Sequence, residues 1–133
     1  MTNKVYINLP VKDLKRSVAF FTHMGFRFNP RFTDENGTCM IVSDTIYVML
    51  LIEKFFKTFI NQKVADASRT SEVIISLEVE KKEEIEELLN KAIQAGGKAT
   101  ISEDYDWMKD RGFTDIDGHH WELLYTDESK SPA

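Results

Sequence analysis

The residue types best suited to chemistry lie close together near the end of the chain, where His120 and Glu122 are two positions apart. Neighbouring side chains of a strand point to opposite faces, so residues separated by one position share a face. A histidine beside a carboxylate could transfer protons or hold a polar ligand. The alternative is a hydrogen-bonded histidine at the mouth of a strand with no chemical role. The sequence leaves both open.

The elements that must position these residues come in two similar sets. Each set begins with an alternating strand and a helix, and the first helix is expected to run from an N-cap at Asp13 to a stop at Gly25. Three strand-like segments separated by turn residues follow each helix. The predicted order in the first set is strand 4–11, helix, and strands 26–32, 38–43 and 46–52. The predicted order in the second set is strand 73–79, helix 81–95, and strands 98–101, 107–114 and 119–125.

The two sets repeat at nearly constant spacing. Val11 and Val79 are 68 residues apart in equivalent first strands, and Met49 and Glu122 are 73 residues apart in equivalent last strands. A duplicated module predicts a pseudo-symmetric cleft in which equivalent positions face each other. Of the pair Met49 and Glu122, only the glutamate is a good metal ligand.

Two tandem βαβββ modules resemble the vicinal oxygen chelate superfamily, which includes glyoxalase I, extradiol dioxygenases, and fosfomycin and bleomycin resistance proteins. The resemblance rests on Val11-Lys12-Asp13-Leu14 at the start of the first helix and on Asp115-Ile116-Asp117-Gly118-His119-His120-Trp121-Glu122-Leu123 near the end. It covers residues 3–126 and implies an α+β fold.

We therefore expect one domain over residues 1–126, followed by a flexible tail at 127–133. Within the domain, the expected parts are module one at about 3–53, a linker at about 54–70 and module two at about 71–126. The linker is expected to carry a short helix with exposed aromatic residues, namely Phe55, Phe56 and Phe59.

The resemblance also implies where a metal ion would be held, one ligand coming from the first and last strand of each module. These positions are occupied here by Tyr6, Met49, Ile74 and Glu122. A divalent metal or zinc needs about three donors from His, Cys, Asp or Glu, and only Glu122 qualifies. We expect no metal and no other cofactor in this cleft, with a divalent metal as the alternative.

Without a metal, the same strand faces predict a mostly apolar and aromatic site with a few polar groups. We expect Glu122 either to have a raised pKa or to pair with a cation, such as His120, Arg111 or a cationic ligand. The resemblance places Trp107 and Arg111 at the rim of the binding pocket. The equal alternative is that both residues only make contacts within the protein. The predicted ligand-binding residues are Tyr6, Asn8, Tyr47, Met49, Ile74, Ser76, Trp107 and Arg111, and the candidate catalytic pair is Glu122 with His120.

Composition excludes several classes of function. The net charge of −5 and the absence of a basic block argue against nucleic acid and against an anionic membrane. The longest apolar run is far too short to span a bilayer, and no secretion signal is visible, so we expect a cytoplasmic protein. Cys39 is the single cysteine, which excludes an internal disulfide.

Three functions remain. The first is a metal-independent protein of the bleomycin resistance type that binds a small, partly apolar molecule, either neutral or cationic. The second is a metal-dependent lyase or isomerase like glyoxalase I, or a dioxygenase. The third is a non-catalytic module whose linker aromatics dock another protein. The resemblance further implies a homodimer.

Overall fold

The computed structural model describes residues 1–130, which divide into two compact units. The first unit covers Met1–Ala65, and the second begins at Asp66. Each unit contains one four-stranded sheet and one long helix. This arrangement confirms the α+β fold with two βαβββ modules.

The first unit carries its sheet in the strand order β1-β4-β3-β2. Strand β1 pairs in parallel with β4, and β3 joins β4 and β2 in antiparallel pairs. Helix α1 packs on the face of Val48 and Leu50, both with no exposed area. The elements are β1 (Val5–Val11), α1 (Leu14–Met24), β2 (Arg27–Asn29), β3 (Gly37–Ile41), β4 (Ile46–Ile52) and a short helix α2 (Glu53–Phe56).

Helix α1 begins and ends as its sequence predicts. The side chain of Asp13 accepts a hydrogen bond from the backbone N–H of Arg16 at 3.2 Å, which satisfies one donor at the helix start. Gly25 ends the helix with φ of 105°, a left-handed conformation that favours glycine. The buried face comprises Ser17, Phe20, Phe21 and Met24, while Leu14 and Val18 are only half-buried.

The sequence predicts a single strand over residues 26–32, and this prediction is wrong. Strand β2 covers only Arg27–Asn29. Residues Pro30–Phe32 form a 3-10 turn, in which Asn29 accepts a hydrogen bond from the backbone of Arg31 at 3.0 Å. Proline has no backbone N–H to pair with a neighbouring strand, and its fixed φ suits the start of a helical turn. A second 3-10 turn, Lys57–Phe59, follows α2.

The second unit repeats this topology in the order β5-β8-β7-β6. Strand β6 runs three residues beyond the predicted end at 101, and it contains a register shift between Ala99 and Ser102. Helix α3 ends before Gly96, which has φ of 110°. The elements are β5 (Ile74–Glu78), α3 (Glu83–Gln94), β6 (Lys98–Asp104), β7 (Met108–Thr114) and β8 (His120–Thr126).

The turn between β7 and β8 is held by Asp115, which is only 5% exposed. Its carboxylate accepts hydrogen bonds from Trp121 Nε1 at 2.9 Å and from the backbone N–H groups of Asp117 and His119 at 2.9 and 3.0 Å. Burial raises the pKa of Asp115, and these donors oppose the rise. Trp121 thereby obtains a partner for its N–H inside the core.

The strand pairing preserves the repeat seen in the sequence. Asn8 lies opposite Met49 in the first unit, and Ser76 lies opposite Glu122 in the second. The predicted tail begins with a turn at Asp127, whose backbone N–H donates to the carbonyl of Trp107 at 2.7 Å, and its residues 131–133 lie outside the described residues. None of the helices in the described chain combines the length and apolarity needed to cross a bilayer.

Candidate functional site

The face of the second sheet that points away from α3 carries a carboxylate with a hydroxyl partner. Trp121 and Leu123 are buried on the helix side of β8, so Glu122 between them points the other way. Ser76, directly opposite on β5, donates a hydrogen bond from Oγ to Glu122 Oε1 at 2.7 Å. The parallel β5–β8 register therefore fixes one oxygen of Glu122.

A second carboxyl group, Asp110 on β7, meets Glu122 on this face. Gly112 is the register partner of Glu122, and Asp110 lies two positions before Gly112 on the same face of β7. Asp110 Oδ1 is buried and receives no hydrogen bond from a donor within residues 1–130. A hydrogen bond between two carboxyl groups requires that one of them carries a proton. The register places the two acids close enough on this face to interact, and Asp110 and Glu122 are called the carboxyl pair below.

The carboxyl pair is electrostatically strained at neutral pH. Burial, the hydrogen bond with Glu122, and the charges of Glu122 and Glu103 together raise the pKa of Asp110 from 3.8 to about 6. Arg111 opposes the rise from the next position along the strand. A positively charged or proton-donating group of a ligand would relieve this repulsion, since it could contact both acids.

Gly112 leaves room beside the carboxyl pair for a side chain of β6. A Cβ atom added at Gly112 would lie 2.3 Å from Thr100 Oγ1 and 3.3 Å from the carbonyl oxygen of Ile101. Thr100 and Ile101 sit within the register shift of β6, so the irregular strand brings the threonine hydroxyl over the glycine. The row across the sheet is therefore Ser76, Glu122, Gly112 and Thr100.

His120 and Ile74 form the adjacent row on the same face. They are register partners on β8 and β5, and His120 is half-buried while Ile74 is 57% exposed. His120 therefore shares a face with Glu122, as predicted. The polar partners that the structure gives Glu122 are Ser76 and Asp110, neither of which the sequence suggested as a partner. The acid–base role of His120 remains a prediction.

Arg111 is placed differently from the expectation that it could pair with Glu122. Its guanidinium donates to both carboxylate oxygens of Asp104 at 2.9 and 3.2 Å and to Glu86 Oε1 on α3 at 3.1 Å. Alternation along β7 puts Arg111 on the helix side, whereas Asp110 points to the other side. Arg111 is therefore an ion-pair partner of α3 and β6, and Asp110 meets Glu122 instead.

Trp107 lies in the turn between β6 and β7, where its ring stacks on Tyr105 with centroids 6.2 Å apart. Both rings line a cavity of about 400 Å³, whose other lining residues are mainly charged. These include Lys82, Asp106 and Lys130, but neither member of the carboxyl pair. The structure thus separates Trp107 from Glu122 within this unit.

The predicted residues of the first unit gather on the face of its sheet that points away from α1. Tyr6 and Tyr47 are register partners and stack with centroids 5.0 Å apart. Tyr47 also donates from its hydroxyl to the carbonyl of Asp44 at 2.8 Å. Asn8 and Met49 are the next register pair on this face. The face is therefore aromatic and weakly polar.

The donor chemistry does not fit the metal that the resemblance implies. Ile74 has no donor atom, Tyr6 offers a neutral phenol and Met49 a thioether, both poor ligands for hard divalent ions. One oxygen of Glu122 is already engaged by Ser76. Within residues 1–130, no three His, Cys, Asp or Glu side chains lie close enough to share an ion.

Sequence reasoning missed Asp110, although a signal for it was present. Asp110 and Gly112 alternate along β7, and a glycine opposite an acid leaves space on that face. What was lacking was the register between β7 and β8. A one-residue slip would have moved Asp110 away from Glu122.

Comparisons with known proteins agree on the architecture. The family described as "Bleomycin resistance protein-like N-terminal" matches residues 4–43. The structure of hypothetical protein SA1046 from S. aureus is similar to this chain with a TM-score of 0.79 and 30% identity, covering 94% of this chain and 95% of that chain. No curated protein matches this chain.

Two further structures, at lower identity, share the fold alone. A glyoxalase/bleomycin resistance protein/dioxygenase family enzyme from Burkholderia phytofirmans PsJN has a TM-score of 0.75 at 13% identity, covering 92% of this chain and 97% of that one. The fosfomycin resistance protein FosX from Mesorhizobium loti has a TM-score of 0.72 at 13% identity, covering 100% and 99%.

Proposed function

The chain belongs to the vicinal oxygen chelate superfamily, and from that premise we propose that it binds a small, partly apolar molecule bearing a cationic group, without a metal ion. The observation that carries this proposal is the carboxyl pair of Asp110 and Glu122. Two neighbouring acids, one with a buried oxygen that receives no hydrogen bond from residues 1–130, favour a ligand that brings positive charge or donated protons.

The surroundings of the carboxyl pair support an organic ligand. Ile74, Met108 and Leu124 lie on the same face and offer apolar surface around the acids. Small-molecule sites typically combine such a lining with a few convergent polar groups. An amine or guanidinium group with an apolar body matches both features.

The test compares the thermal shifts caused by pairs of ligands that share a ring system and differ in charge. One pair is benzylamine and benzyl alcohol, and further pairs carry larger rings. A ligand that binds only the folded state raises the melting temperature. We expect amines to stabilise the native protein and the alcohols to have little effect. The stabilisation should be clearly reduced in Asp110→Asn/Glu122→Gln and unchanged in Glu80→Gln, an exposed acid two residues beyond the end of β5.

Metal analysis and metal addition test whether the protein works without a metal ion, as proposed. Elemental analysis of native protein should find no stoichiometric transition metal, and chelator treatment should leave amine binding unchanged. A melting temperature raised by nickel, zinc, manganese or iron, and no longer raised in Glu122→Ala, would contradict the proposal. That result would favour the metal-dependent lyase, isomerase or dioxygenase.

A third possibility is a protein-docking role for the aromatic residues that follow β4. Phe55 and Phe59 contact edge to face with centroids 5.1 Å apart, and Phe59 is 68% exposed. If every small ligand fails to shift the melting temperature while Phe59→Ser abolishes capture of a protein partner, the docking role replaces the proposed one.

A further inference from the structure

A concave surface lies in the first unit, whereas the carboxyl pair belongs to the second unit. It is a groove of about 750 Å³ between α1 and the segment that leads into β3, called the α1 groove below. One wall is the helix surface of Leu14, Lys15, Val18, Ala19, Thr22 and His23, and the other is formed by Thr33, Asp34, Glu35 and Thr38. A volume of this size is typical of sites for small organic ligands.

The apolar residues of the helix wall are not the ones that α1 packs against its own sheet. The core side of α1 is occupied by Phe20, Phe21 and Met24, each at most 2% exposed. Leu14 and Val18 lie on a different strip of the helix, where they remain half-buried, and the spacing of four residues continues to Thr22. Helix α1 therefore has an apolar strip that faces the groove as well as one that faces the sheet.

The loop wall is held in place before any ligand arrives. Asp34 Oδ1 accepts hydrogen bonds from the backbone N–H groups of Asn36 and Gly37 at 2.8 and 3.2 Å. Thr33 Oγ1 lies 2.8 Å from Thr38 Oγ1, and the carbonyl of Asn36 accepts from the backbone of Ile52 at 2.9 Å. A preformed wall lowers the entropic cost of binding.

The charged residues that line the groove indicate which kind of ligand would bind there. Asp34 and Glu35 stand on the loop wall, whereas the helix side carries the ammonium group of Lys15 and the imidazole of His23. The whole chain adds a net charge of −5, which attracts cations and repels anions at long range. We propose that the α1 groove is a second ligand site, which binds an apolar molecule ending in an amine. Its body lies along the helix wall, and its cationic end lies beside Asp34 and Glu35.

The experiment uses three probes with one ring system and different charge: 1-naphthylmethylamine, 1-naphthalenemethanol and 1-naphthylacetate. Methyl NMR of the full chain follows Ala19 and Val18, and titration gives a Kd for each probe. The background is Asp110→Asn/Glu122→Gln, so that the carboxyl pair does not contribute. We expect the amine to bind about tenfold more tightly than the alcohol and to shift both methyl signals, with the acid weakest.

Matched variants locate the site. Ala19→Trp fills the groove from an exposed helix position and should weaken amine binding about tenfold or more. Arg16→Trp places the same ring on α1 outside the groove and should have no effect. Asp34→Asn/Glu35→Gln should reduce amine binding to the level of the alcohol. If Ala19→Trp fails to fold by circular dichroism, Thr22→Arg replaces it.

Three results would overturn the second site. The first is an alcohol or acid that binds as tightly as the amine. The second is equal binding in Ala19→Trp and Arg16→Trp. The third is a change of sedimentation mass in Ala19→Trp but not in Arg16→Trp, which would assign the α1 groove to contact with a second copy of the chain. All three leave the carboxyl-pair proposal standing, because it is tested with different variants.

Discussion

Asp110 lies in an environment that an aspartate does not favour. An aspartate beside another acid, partly buried, binds its proton more tightly than in the unfolded chain, and its pKa is about 6. Between pH 4 and 6 the folded state therefore holds more protons than the unfolded state. Stability consequently falls as pH rises through this window. Retaining such a residue favours a role in recognition, because packing alone would be better served by a neutral group.

Asp110→Asn should stabilise the free protein at neutral pH, since an amide can donate a hydrogen bond to Glu122 without carrying charge. Partial exposure screens the penalty, so we expect about 1 kcal/mol at pH 7.5, about 4 °C in Tm, and almost no effect at pH 4. Urea unfolding across this pH range measures the effect. Asp106→Asn removes an exposed acid and serves as the control. Equal gains from both variants at pH 7.5 would contradict a special role for Asp110.

The same residue predicts how ligand binding depends on pH. Protonation of Asp110 below pH 6 removes half of the negative charge that the carboxyl pair presents to a cation. We expect amine affinity at pH 5 to be roughly tenfold lower than at pH 7, because one proton must leave before binding. Calorimetric titration at the two pH values checks this. A pH dependence that persists unchanged in Asp110→Asn would assign it to another group.

At the scale of elements, two kinds of contact hold the second unit in register. The first is the ion cluster that joins α3 to β6 and β7, in which Glu86 accepts from Lys109 at 3.0 Å and from Arg111 at 3.1 Å. The second is the β7–β8 turn, where Asp115 collects three hydrogen bonds. Because the β7–β8 register places Asp110 beside Glu122, these contacts help to position the carboxyl pair.

Arg111→Met should destabilise the second unit by about 1 kcal/mol, since it removes the ion pairs of Arg111 with Asp104 and Glu86, both of which are half exposed or more. The side chain of Arg111 is 16% exposed, so its ion pairs are less screened than those at the surface. The matched control is Lys91→Met, which breaks the exposed pair with Glu87 on α3 and should cost less than about 0.5 kcal/mol. Chemical denaturation measures both, and similar losses would mean that the cluster is only a surface feature.

Two glycines with similar backbone angles should respond differently to alanine. Gly118 has φ of +94° and an added Cβ would lie 2.9 Å from Ala67 O and Ser68, whereas Gly25 has φ of +105° and nothing within 4 Å. Both substitutions carry the strain of a left-handed conformation, and only Gly118→Ala adds a backbone clash. We expect losses of about 3 and 1 kcal/mol, respectively, by thermal unfolding. Equal losses would mean that the segment at Ala67 and Ser68 gives way easily.

At the scale of the whole molecule, the two copies of the module have the same topology, but their sheets carry different side chains. The first unit presents stacked tyrosines with Asn8 and Met49, and the second presents the carboxyl pair with Ser76. Exposed apolar residues remain in both units, such as Tyr6 at 49% and Ile74 at 57%. Apolar groups of this size on a sheet face are common at binding surfaces.

We propose a homodimer, as the family resemblance implies. Sedimentation at micromolar concentration should then give a species of twice the chain mass of 15.4 kDa. Ile74→Lys, which puts a charge on an exposed apolar position, should shift the equilibrium toward monomer if that face contributes to the contact. The exposed substitution Asn90→Lys on α3 is the control. A single species of 15.4 kDa at all concentrations would contradict the dimer.

The sequence alone determined the two modules, most of the strands and the ends of α1, because these depend on periodicity and on the dihedral preferences of residues such as Asp13 and Gly25. It also showed that Glu122 is the one carboxylate among the four positions at which the resemblance places a metal ligand, since residue types are local information. Only the tertiary structure decided that Asp110 meets Glu122 while Arg111 turns toward α3. Those contacts depend on strand register and on the irregular β6, which arise from pairing between distant segments that no local pattern records.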